Sequence, residues 1–358
     1  MKTTPNGLDS VIGLILPVLA LILGLAVAAF IVISIGVLLI KLVDLVIRLV
    51  TGGKTRIAAA QHKFNLAAWV RNKKLGTTLM LVFLVGIWSI PTLGLIITSF
   101  RAKDEATASG WWEAILNPFG QNWSFGAYEH VLGLGDVTSN ATGMGEALVN
   151  TLVVTIPATI LPILIAANAA YAFTFLEFKG KELYFSILVG LMVIPLQAAL
   201  VPILNAMKWL NKNMHIDLIG DFPAAWIVHS AFALPLAIYI FRNYMLTLPV
   251  ALIEAARVDG ASFYQIFWRM VMPMSVPALA SFAIFQFLWV WNDYLIAFIF
   301  VGEQKPVMTY KINLLLGQYG DGWLNVTAAS FMSLMVPLIV FFSLQRFFVR
   351  GLTAGAVK

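Results

Sequence analysis

The sequence contains no cysteine, which excludes disulfide bonds and thiolate metal sites. Histidine is also scarce: four occur in 358 residues, and none has the spacing of a metal motif such as His-Glu-x-x-His. No Ser-His-Asp set and no pair of carboxylates is placed for catalysis. We therefore expect neither a metal site nor a catalytic residue in this chain.

Charged residues are few, and apolar residues dominate the composition. Only 11% of the residues are charged and 60% are hydrophobic, against about 25% and about 45–50% in a soluble domain. Too little polar surface remains to cover a globule in water, so a lipid bilayer is the expected solvent. Because prolines recur in the apolar runs and their freed carbonyls need neighbouring helices, the pattern predicts an all-α polytopic membrane helix bundle. Seven runs are candidate spans: residues 11–40, 77–100, 148–175, 183–207, 223–240, 277–301 and 326–347.

The charged residues that do occur are segregated along the chain. Segment 51–76 is basic and contains no acid, whereas segment 101–147 is mainly acidic. The positive-inside rule places the first in the cytoplasm and the second outside. Alternation of spans then places residues 241–276 and the C-terminal tail inside, and residues 302–325 outside. The net charge of +6 is thus interpreted as a topology signal, and no nucleic-acid partner is expected.

These assignments divide the chain into four parts. Residues 1–50 are an extra N-terminal transmembrane helix, 51–76 a basic cytoplasmic linker, 77–348 a six-helix core and 349–358 a cytoplasmic tail. The first apolar run exceeds one perpendicular span, so one tilted helix is preferred and a tight hairpin is the alternative. The run is also much longer than the about 7–15 apolar residues of a signal peptide, so we expect it to be retained.

A charged stretch, EAARVDG at residues 254–260, interrupts an apolar region on the predicted cytoplasmic side. Pro249 suits the first position of a helix, because its missing N–H has no intrahelical partner there. Residues 250–258 are good helix formers. Asp259 and Gly260 are expected to end this helix, with the glycine at positive φ.

A second short helix is predicted directly after the first. Ser262 and Gln265 match a capping box, and Pro273 and Pro277 are expected to end the helix near residue 272. Its large apolar side chains are expected to point away from the bundle. An interfacial helix resting on lipid headgroups would use the same residue types, and local physics leaves both interpretations open.

The order of these residues resembles the EAA loop of ABC importer permeases. The match consists of Glu254-Ala255-Ala256, Gly260, Met270 and Met272-Pro273, in a loop at about 245–276. In that family the loop is a coupling helix that docks into a cleft of a cytoplasmic ATPase. The resemblance implies that ATPase coupling involves Glu254, Ala255, Ala256, Asp259, Gly260, Phe263, Phe267 and Pro273.

Other stretches extend the resemblance. AAYAF at 169–173, followed by FKGKE, resembles the family's pattern after its second core span. WND at 291–293 and the tail GLTAGAVK at 351–358 are similar to the carbohydrate-uptake branch, particularly its maltose-type G-subunit. The extra N-terminal span is similar to that of α-glucoside permeases.

This resemblance implies an importer of a sugar, with an α-glucoside or oligosaccharide as the expected cargo. The implied partners are a second permease, two copies of an ABC ATPase and a periplasmic or extracellular sugar-binding protein. The implied location is the bacterial inner membrane, with several spans and a cytoplasmic C-terminus. Gly351 and Gly355 are implied to lie along the ATPase.

The chain lacks a phosphate-binding loop of its own. TGGKT at residues 51–55 would need a glycine at position 48, where Arg48 stands. We therefore expect no cofactor in this chain, with ATP and Mg²⁺ held by the partner ATPase. The chain is then a transport subunit and not an enzyme.

Polar residues cluster in one predicted span. Asp293 is the only acid assigned to a span, and an intramembrane acid is a functional candidate by default. Gln286, Trp291 and Asn292 lie near it on the same predicted helix. These residues either line a translocation pathway for sugar or stabilise contacts between helices, and the packing interpretation is preferred.

The outer segment 302–325 contains Tyr310, Tyr319 and Trp323. By resemblance it matches the loop that in maltose-type G-subunits reaches into the sugar-binding protein. An aromatic belt at the membrane surface is the alternative.

Two other classes of function are alternatives to the importer. An ion-coupled secondary transporter usually needs several intramembrane acids or unwound midplane sites, and one aspartate is thin support. A membrane enzyme needs an acid–base or metal constellation that the sequence lacks. The importer is the preferred hypothesis, and its binding protein is expected to select most of the cargo.

Overall fold

The computed structural model describes residues 75–133, 143–316 and 322–354. Within these ranges the chain is helical apart from short connections and contains no β-strand, which confirms the predicted all-α class. The predicted first span and residues 51–74 of the basic linker lie outside the described residues. The helices in chain order are α1 Leu75–Ser99, α2 Lys103–Ala108, α3 Trp111–Leu116, α4 Gly126–Leu132, α5 Met144–Phe175, α6 Lys181–Leu191, α7 Leu196–Met214, α8 Phe222–Met245, α9 Val250–Val258, α10 Phe263–Trp291, α11 Met308–Leu315 and α12 Trp323–Ala354.

The chain divides into two compact units, of which the first contains most of α1 together with α3. The helix α1 is long and apolar enough to span a bilayer. Gly94 lets α3 approach it closely, because a Cβ at this position would lie 2.9 Å from the indole nitrogen of Trp111. Any larger residue at position 94 would have to displace that indole.

The second unit contains the remaining described helices. Its centre is built from α5, α8 and α10, whose facing residues are small where the backbones meet. Ala166, Ala167 and Ala170 of α5 and Ala237 of α8 have no exposed surface. Small residues let helix backbones approach closely in lipid, where packing and not the hydrophobic effect holds helices together.

Four predicted core spans correspond to single helices that are slightly longer than predicted. Over the described residues, five helices are long and apolar enough to cross a membrane, or six if the bent pair α6 and α7 is one span. The predicted runs 77–100, 148–175, 223–240 and 326–347 match α1, α5, α8 and α12.

The predicted span 183–207 is not one straight helix. Its two parts, α6 and α7, meet at an angle of 104°. Pro195 caps α7 with a ψ of 131°, an extended conformation. A proline also disfavours the helical region for the residue before it, so Ile194 is where a continuous helix is interrupted.

The predicted span 277–301 differs from the observed helix at both ends. The helix begins at Phe263 and ends at Trp291, so Pro273 and Pro277 lie inside it and do not end the preceding helix. A π turn at Phe267–Val271 precedes Pro273, and the N–H of Met272 donates to the carbonyl of Phe267. This wider turn alters the hydrogen-bond ladder where proline lacks a donor, which lets the helix continue through both prolines.

Candidate functional site

The predicted first helix of the 245–276 loop is present as α9, with Pro249 as its N-cap and not its first helical residue. Gly260 has a φ of +80° and ends the helix in a Schellman motif. The N–H of Gly260 donates to Arg257 and that of Ala261 to Ala256, at 3.1 and 3.0 Å. Positive φ strains every residue with a side chain, so glycine fixes the direction in which the chain leaves α9.

The predicted capping box at the start of α10 is also present. The backbone N–H of Ser262 donates to the Gln265 side chain at 2.8 Å, and the N–H of Gln265 donates to Ser262 Oγ at 3.3 Å. The end of α9 and the start of α10 are thus both fixed by bonds that span a few residues. The bend between them is set by local sequence.

An apolar surface covers the outside of this loop. Phe263 is 59% exposed, and Glu254, Ala255 and Asp259 are exposed beside it. We call the following residues the loop surface: Leu246, Val250, Leu252, Val258, Phe263 and Tyr264, all of them exposed large side chains. Exposed apolar side chains grouped on a helix–turn–helix are typical of a binding face.

Phe267 does not belong to this surface, so the expectation that it points outward was wrong. It is only 3% exposed and packs against the ring of Tyr171, with centroids 5.3 Å apart. Helical spacing does not explain the difference, because residues four apart lie on the same face. Phe263 lies in the first turn of α10, whereas Phe267, one turn further along, meets Tyr171 of α5. Ala256 is half-buried, and Pro273 is exposed inside α10.

Arg257 joins the loop to the end of α5, a contact that sequence reasoning missed. Its Nη2 donates to the carbonyl of Phe175 at 2.9 Å. Phe175 is the last residue of α5. The carbonyls at a helix C-terminus lack intrahelical partners, and a positive charge there interacts favourably with the helix dipole. A basic residue near a helix end was visible in the sequence, but its partner lies 82 residues earlier.

Arg242 makes a similar contact from the last turn of α8. Its Nε donates to the carbonyl of Phe173 at 3.4 Å, and its guanidinium lies 4.1 Å from the ring centroid of Phe185. Glu182 at the start of α6 is 3.7 Å away. The end of α5 is therefore held by two arginines, one from the span that precedes the loop and one from the loop.

A pocket of about 180 Å³ opens between the loop and the end of α5. Glu254 and Arg257 line it from α9. The other lining residues are Thr174, Phe175, Met245, Leu246, Val250 and Ile253.

Three side-chain donors in the membrane helices bind carbonyls that proline has freed. Gln286 of α10 donates to the carbonyl of Ala158 at 3.1 Å, four residues before Pro162. Proline has no N–H, so the carbonyl four residues earlier in a helix loses its partner. A donor from the adjacent helix restores that hydrogen bond where water is absent.

The other two bonds follow the same rule. The indole of Trp226 in α8 donates to Val153 at 2.9 Å, four residues before Pro157. The indole of Trp291 in α10 donates to Ser333 at 3.1 Å, four residues before Pro337. We call these three hydrogen bonds the carbonyl bridges. The bridges made by Gln286 and Trp291 favour the interpretation that these two residues stabilise contacts between helices, and not that they line a pathway.

Asp293 lies in the break after α10. Its Oδ2 accepts from the backbone N–H groups of Ile296 and Ala297, at 2.9 and 3.2 Å, so it caps the following helical turn. The same oxygen is 3.8 Å from Nε2 of His229 in α8. Asn292 is exposed and donates to a carbonyl of its own helix. A pathway role for these residues stays a prediction.

The described part of the outer segment that precedes α12, residues 302–316, packs against α5 through α11. Tyr310 is 5% exposed and stacks with Tyr294 and Phe298, so the expectation of an exposed contact was wrong for this residue. The N–H of Met308 donates to Thr151 at 2.8 Å, which anchors α11 on α5 and turns Tyr310 inward.

Trp323 is 58% exposed at the start of α12 and is available to a partner. Gly351 lies in α12, which continues as a helix to Ala354, so the predicted tail begins as an extension of the last span. Tyr319 and Gly355 lie outside the described residues.

A salt bridge connects the start of α8 to the segment after α10. Lys305 Nζ is 2.6 Å from Asp221 Oδ1, and Asp221 also accepts from the N–H of Phe222 as the N-cap of α8. The hydrogen bond from Lys305, followed by that from Phe222, lowers the pKa of Asp221 below its ordinary value of 3.8.

The chain is similar in sequence to a family of membrane transport proteins. The model of one family, described as the binding-protein-dependent transport system inner membrane component, matches residues 65–354. The osmoprotective compounds uptake permease protein GgtD of Synechocystis sp. is 44% identical over 289 residues, covering 80% of this chain and 93% of that protein. The α-glucoside transport system permease protein AglG of Rhizobium meliloti is 36% identical, covering 78% and 96%.

Among solved structures, the chain is similar to a crystal structure of a bacterial ABC transporter involved in the import of the acidic polysaccharide alginate. The TM-score is 0.60 at 22% identity, over 77% of this chain and 98% of that chain. The two proteins share a fold.

Proposed function

Because the chain belongs to the family of binding-protein-dependent transport system inner membrane components, we propose that it forms half of the membrane path of a sugar importer. It is a permease subunit of an ABC importer. This membership decides against the ion-coupled secondary transporter and the membrane enzyme.

The loop surface is proposed to dock into an ATPase that hydrolyses ATP for the transporter. The observation that supports this most strongly is an exposed apolar face on a helix–turn–helix whose bend is fixed by Gly260 and the capping box. A rigid bend lets a partner displace α9 without first deforming the loop. ATP and Mg²⁺ then belong to that partner, as the missing phosphate loop implies.

The assembly is proposed to contain this chain, a second permease, two ATPase copies and an external sugar-binding protein, with the C-terminus in the cytoplasm. An α-glucoside or short oligosaccharide is the proposed cargo. The support is the 36% identical relative named as an α-glucoside permease and a 28% identical relative named as a melibiose, raffinose and stachyose import permease.

Purification of the tagged chain from its native membrane in mild detergent, with mass identification of bound proteins, tests the assembly. An ATPase and a second permease should copurify with the chain. The binding protein should bind α-glucosides in preference to matched β-glucosides. A chain that purifies alone in stable form would contradict the proposal.

A matched pair of variants tests which surface meets the ATPase. Phe263 and Trp323 have similar exposures of 59% and 58% and lie in segments predicted to face opposite sides of the membrane. Phe263→Ala should weaken ATPase copurification, and Trp323→Ala should leave it unchanged while reducing stimulation by the binding protein. Equal effects of both variants on ATPase recovery would argue against this orientation.

A further inference from the structure

The coupling helix α9 reaches three membrane helices by different routes. Short connections link it covalently to α8 and α10 at its two ends. Its link to α5 is non-covalent: Ile253 and Ala256 pack on the core cluster that includes Tyr171, and Arg257 donates to the carbonyl of Phe175. The arginine contact has a defined direction, because a hydrogen bond requires a narrow range of distances and angles between donor and acceptor.

We propose that Arg257 is the positioning residue that fastens the coupling helix to α5. A displacement of α9 would then reach α5 directly, as well as α8 and α10 through the chain. This inference rests on the proposed function, in which an ATPase moves the loop.

The helix α5 is suited to pass such a displacement into the membrane. Its alanine face packs at close range against α8, and two carbonyl bridges tie it to α8 through Trp226 and to α10 through Gln286. Arg242 holds the same last turn of α5 from α8. A movement applied at Phe175 therefore acts on a helix already joined to both neighbours.

The chemistry of the contact favours arginine over lysine. The guanidinium of Arg257 reaches the Phe175 carbonyl while lying 5.8 Å from the ring centroid of Phe263. A planar guanidinium can donate in one direction and stack in another, whereas an ammonium acts as a compact point charge. Lysine at this position should keep the charge near the helix end and restore only part of the coupling.

Three variants of the assembled transporter test the proposal: Arg257→Ala, Arg257→Lys and Arg269→Ala. Arg269 is exposed on the same loop, so its removal is a control for the loss of one positive charge. Arg257→Ala should assemble and hydrolyse ATP, while sugar imported per ATP falls about fivefold, the effect of losing one typical net hydrogen bond. Arg269→Ala should import as much sugar per ATP as the unsubstituted protein. Arg257→Lys should import an amount per ATP between those of Arg257→Ala and Arg269→Ala.

A distance measurement separates fastening from general destabilisation. Because the chain has no cysteine, spin labels can be placed at Lys179→Cys after α5 and Ala251→Cys in α9, both exposed. Their separation should stay constant between nucleotide-free and ATP-trapped complexes, and should broaden when Arg257→Ala is added.

The proposal is overturned if Arg257→Ala imports as much sugar per ATP as Arg269→Ala, or if ATP trapping alone changes the label separation. If Arg257→Ala lowers the yield of the complex, two other measurements decide. One is the sugar imported per ATP by Arg257→Lys, and the other is the label separation in the chain that retains Arg257. Failure of the proposed function would look different, since no ATPase would copurify with the unsubstituted chain.

Discussion

The 245–276 loop and the interior of the membrane helices both depend on hydrogen bonds that satisfy main-chain groups, but over different distances along the chain. The Schellman motif and capping box join residues three to five positions apart. The carbonyl bridges join residues 73, 128 and 42 positions apart. Local bonds set the direction of the chain at the loop, whereas distant bonds hold separate helices together.

The comparison predicts that strain at the loop affects transport more than stability. Gly260→Val should reduce sugar uptake at least tenfold, because a β-branched residue at a φ of +80° must change the bend. Space is not the obstacle, since no other described residue lies within 4 Å of a Cβ there. Uptake and complex yield should both be measured.

Gly260→Asn is the matched control, because asparagine tolerates positive φ far better than valine. It should keep most of the uptake. Equal loss in both variants would mean that the side chain, and not the backbone conformation, is what the partner rejects.

In the interior of the membrane helices, we expect substitutions to reduce stability more than transport. Gln286→Leu leaves the buried carbonyl of Ala158 unpaired and should lower the free energy of unfolding by about 1–2 kcal/mol. Unfolding in mixed micelles measures it. The loss should shrink when Pro162→Ala is also present, since alanine returns an N–H to that carbonyl.

A double-mutant cycle over Gln286 and Pro162 is therefore decisive. Additive effects of the two substitutions would show that Gln286 does not act on the carbonyl freed by proline. Asn292→Ala, at an exposed side chain bonded within its own helix, provides a neutral reference.

Asp293 combines both kinds of contact, and a smaller effect is expected. Asp293→Ala should destabilise the protein by about 1 kcal/mol through the loss of a helix cap, with reduced uptake. Asp293→Asn keeps an acceptor oxygen and should retain most of both. Thermal unfolding and uptake of the two variants test this, and full uptake by Asp293→Ala would show that the aspartate has no role in transport.

The smallest effect is expected at the Asp221–Lys305 salt bridge, which is partly exposed. Since bonding to Lys305 and Phe222 lowers the pKa of Asp221, this stabilisation is complete above the ordinary pKa of 3.8 and is lost as the pH falls through the lowered value. The melting difference between the unsubstituted chain and Lys305→Ala should be present at neutral pH and vanish in strong acid. A difference independent of pH would assign the effect to packing of the lysine on Phe222.

The same contrast explains which predictions from the sequence were correct. Gly260 and the Ser262–Gln265 box were found because their partners are adjacent, and four core spans were found from apolar length. Phe267 and Tyr310 were misplaced because burial depends on which helices pack beside them. The break at Pro195 and the continuous helix through Pro273 show that proline alone does not decide where a helix ends.

By itself, the sequence determined the all-α class, the bend after α9 and the candidate loop, since these follow from composition and from bonds between near neighbours. Only the tertiary structure decided that Arg257 meets the end of α5 and that Gln286, Trp226 and Trp291 meet the carbonyls freed by proline. The prolines revealed which carbonyls lack partners. The donors became known only once the helices were packed, because in a membrane the partner must come from another helix.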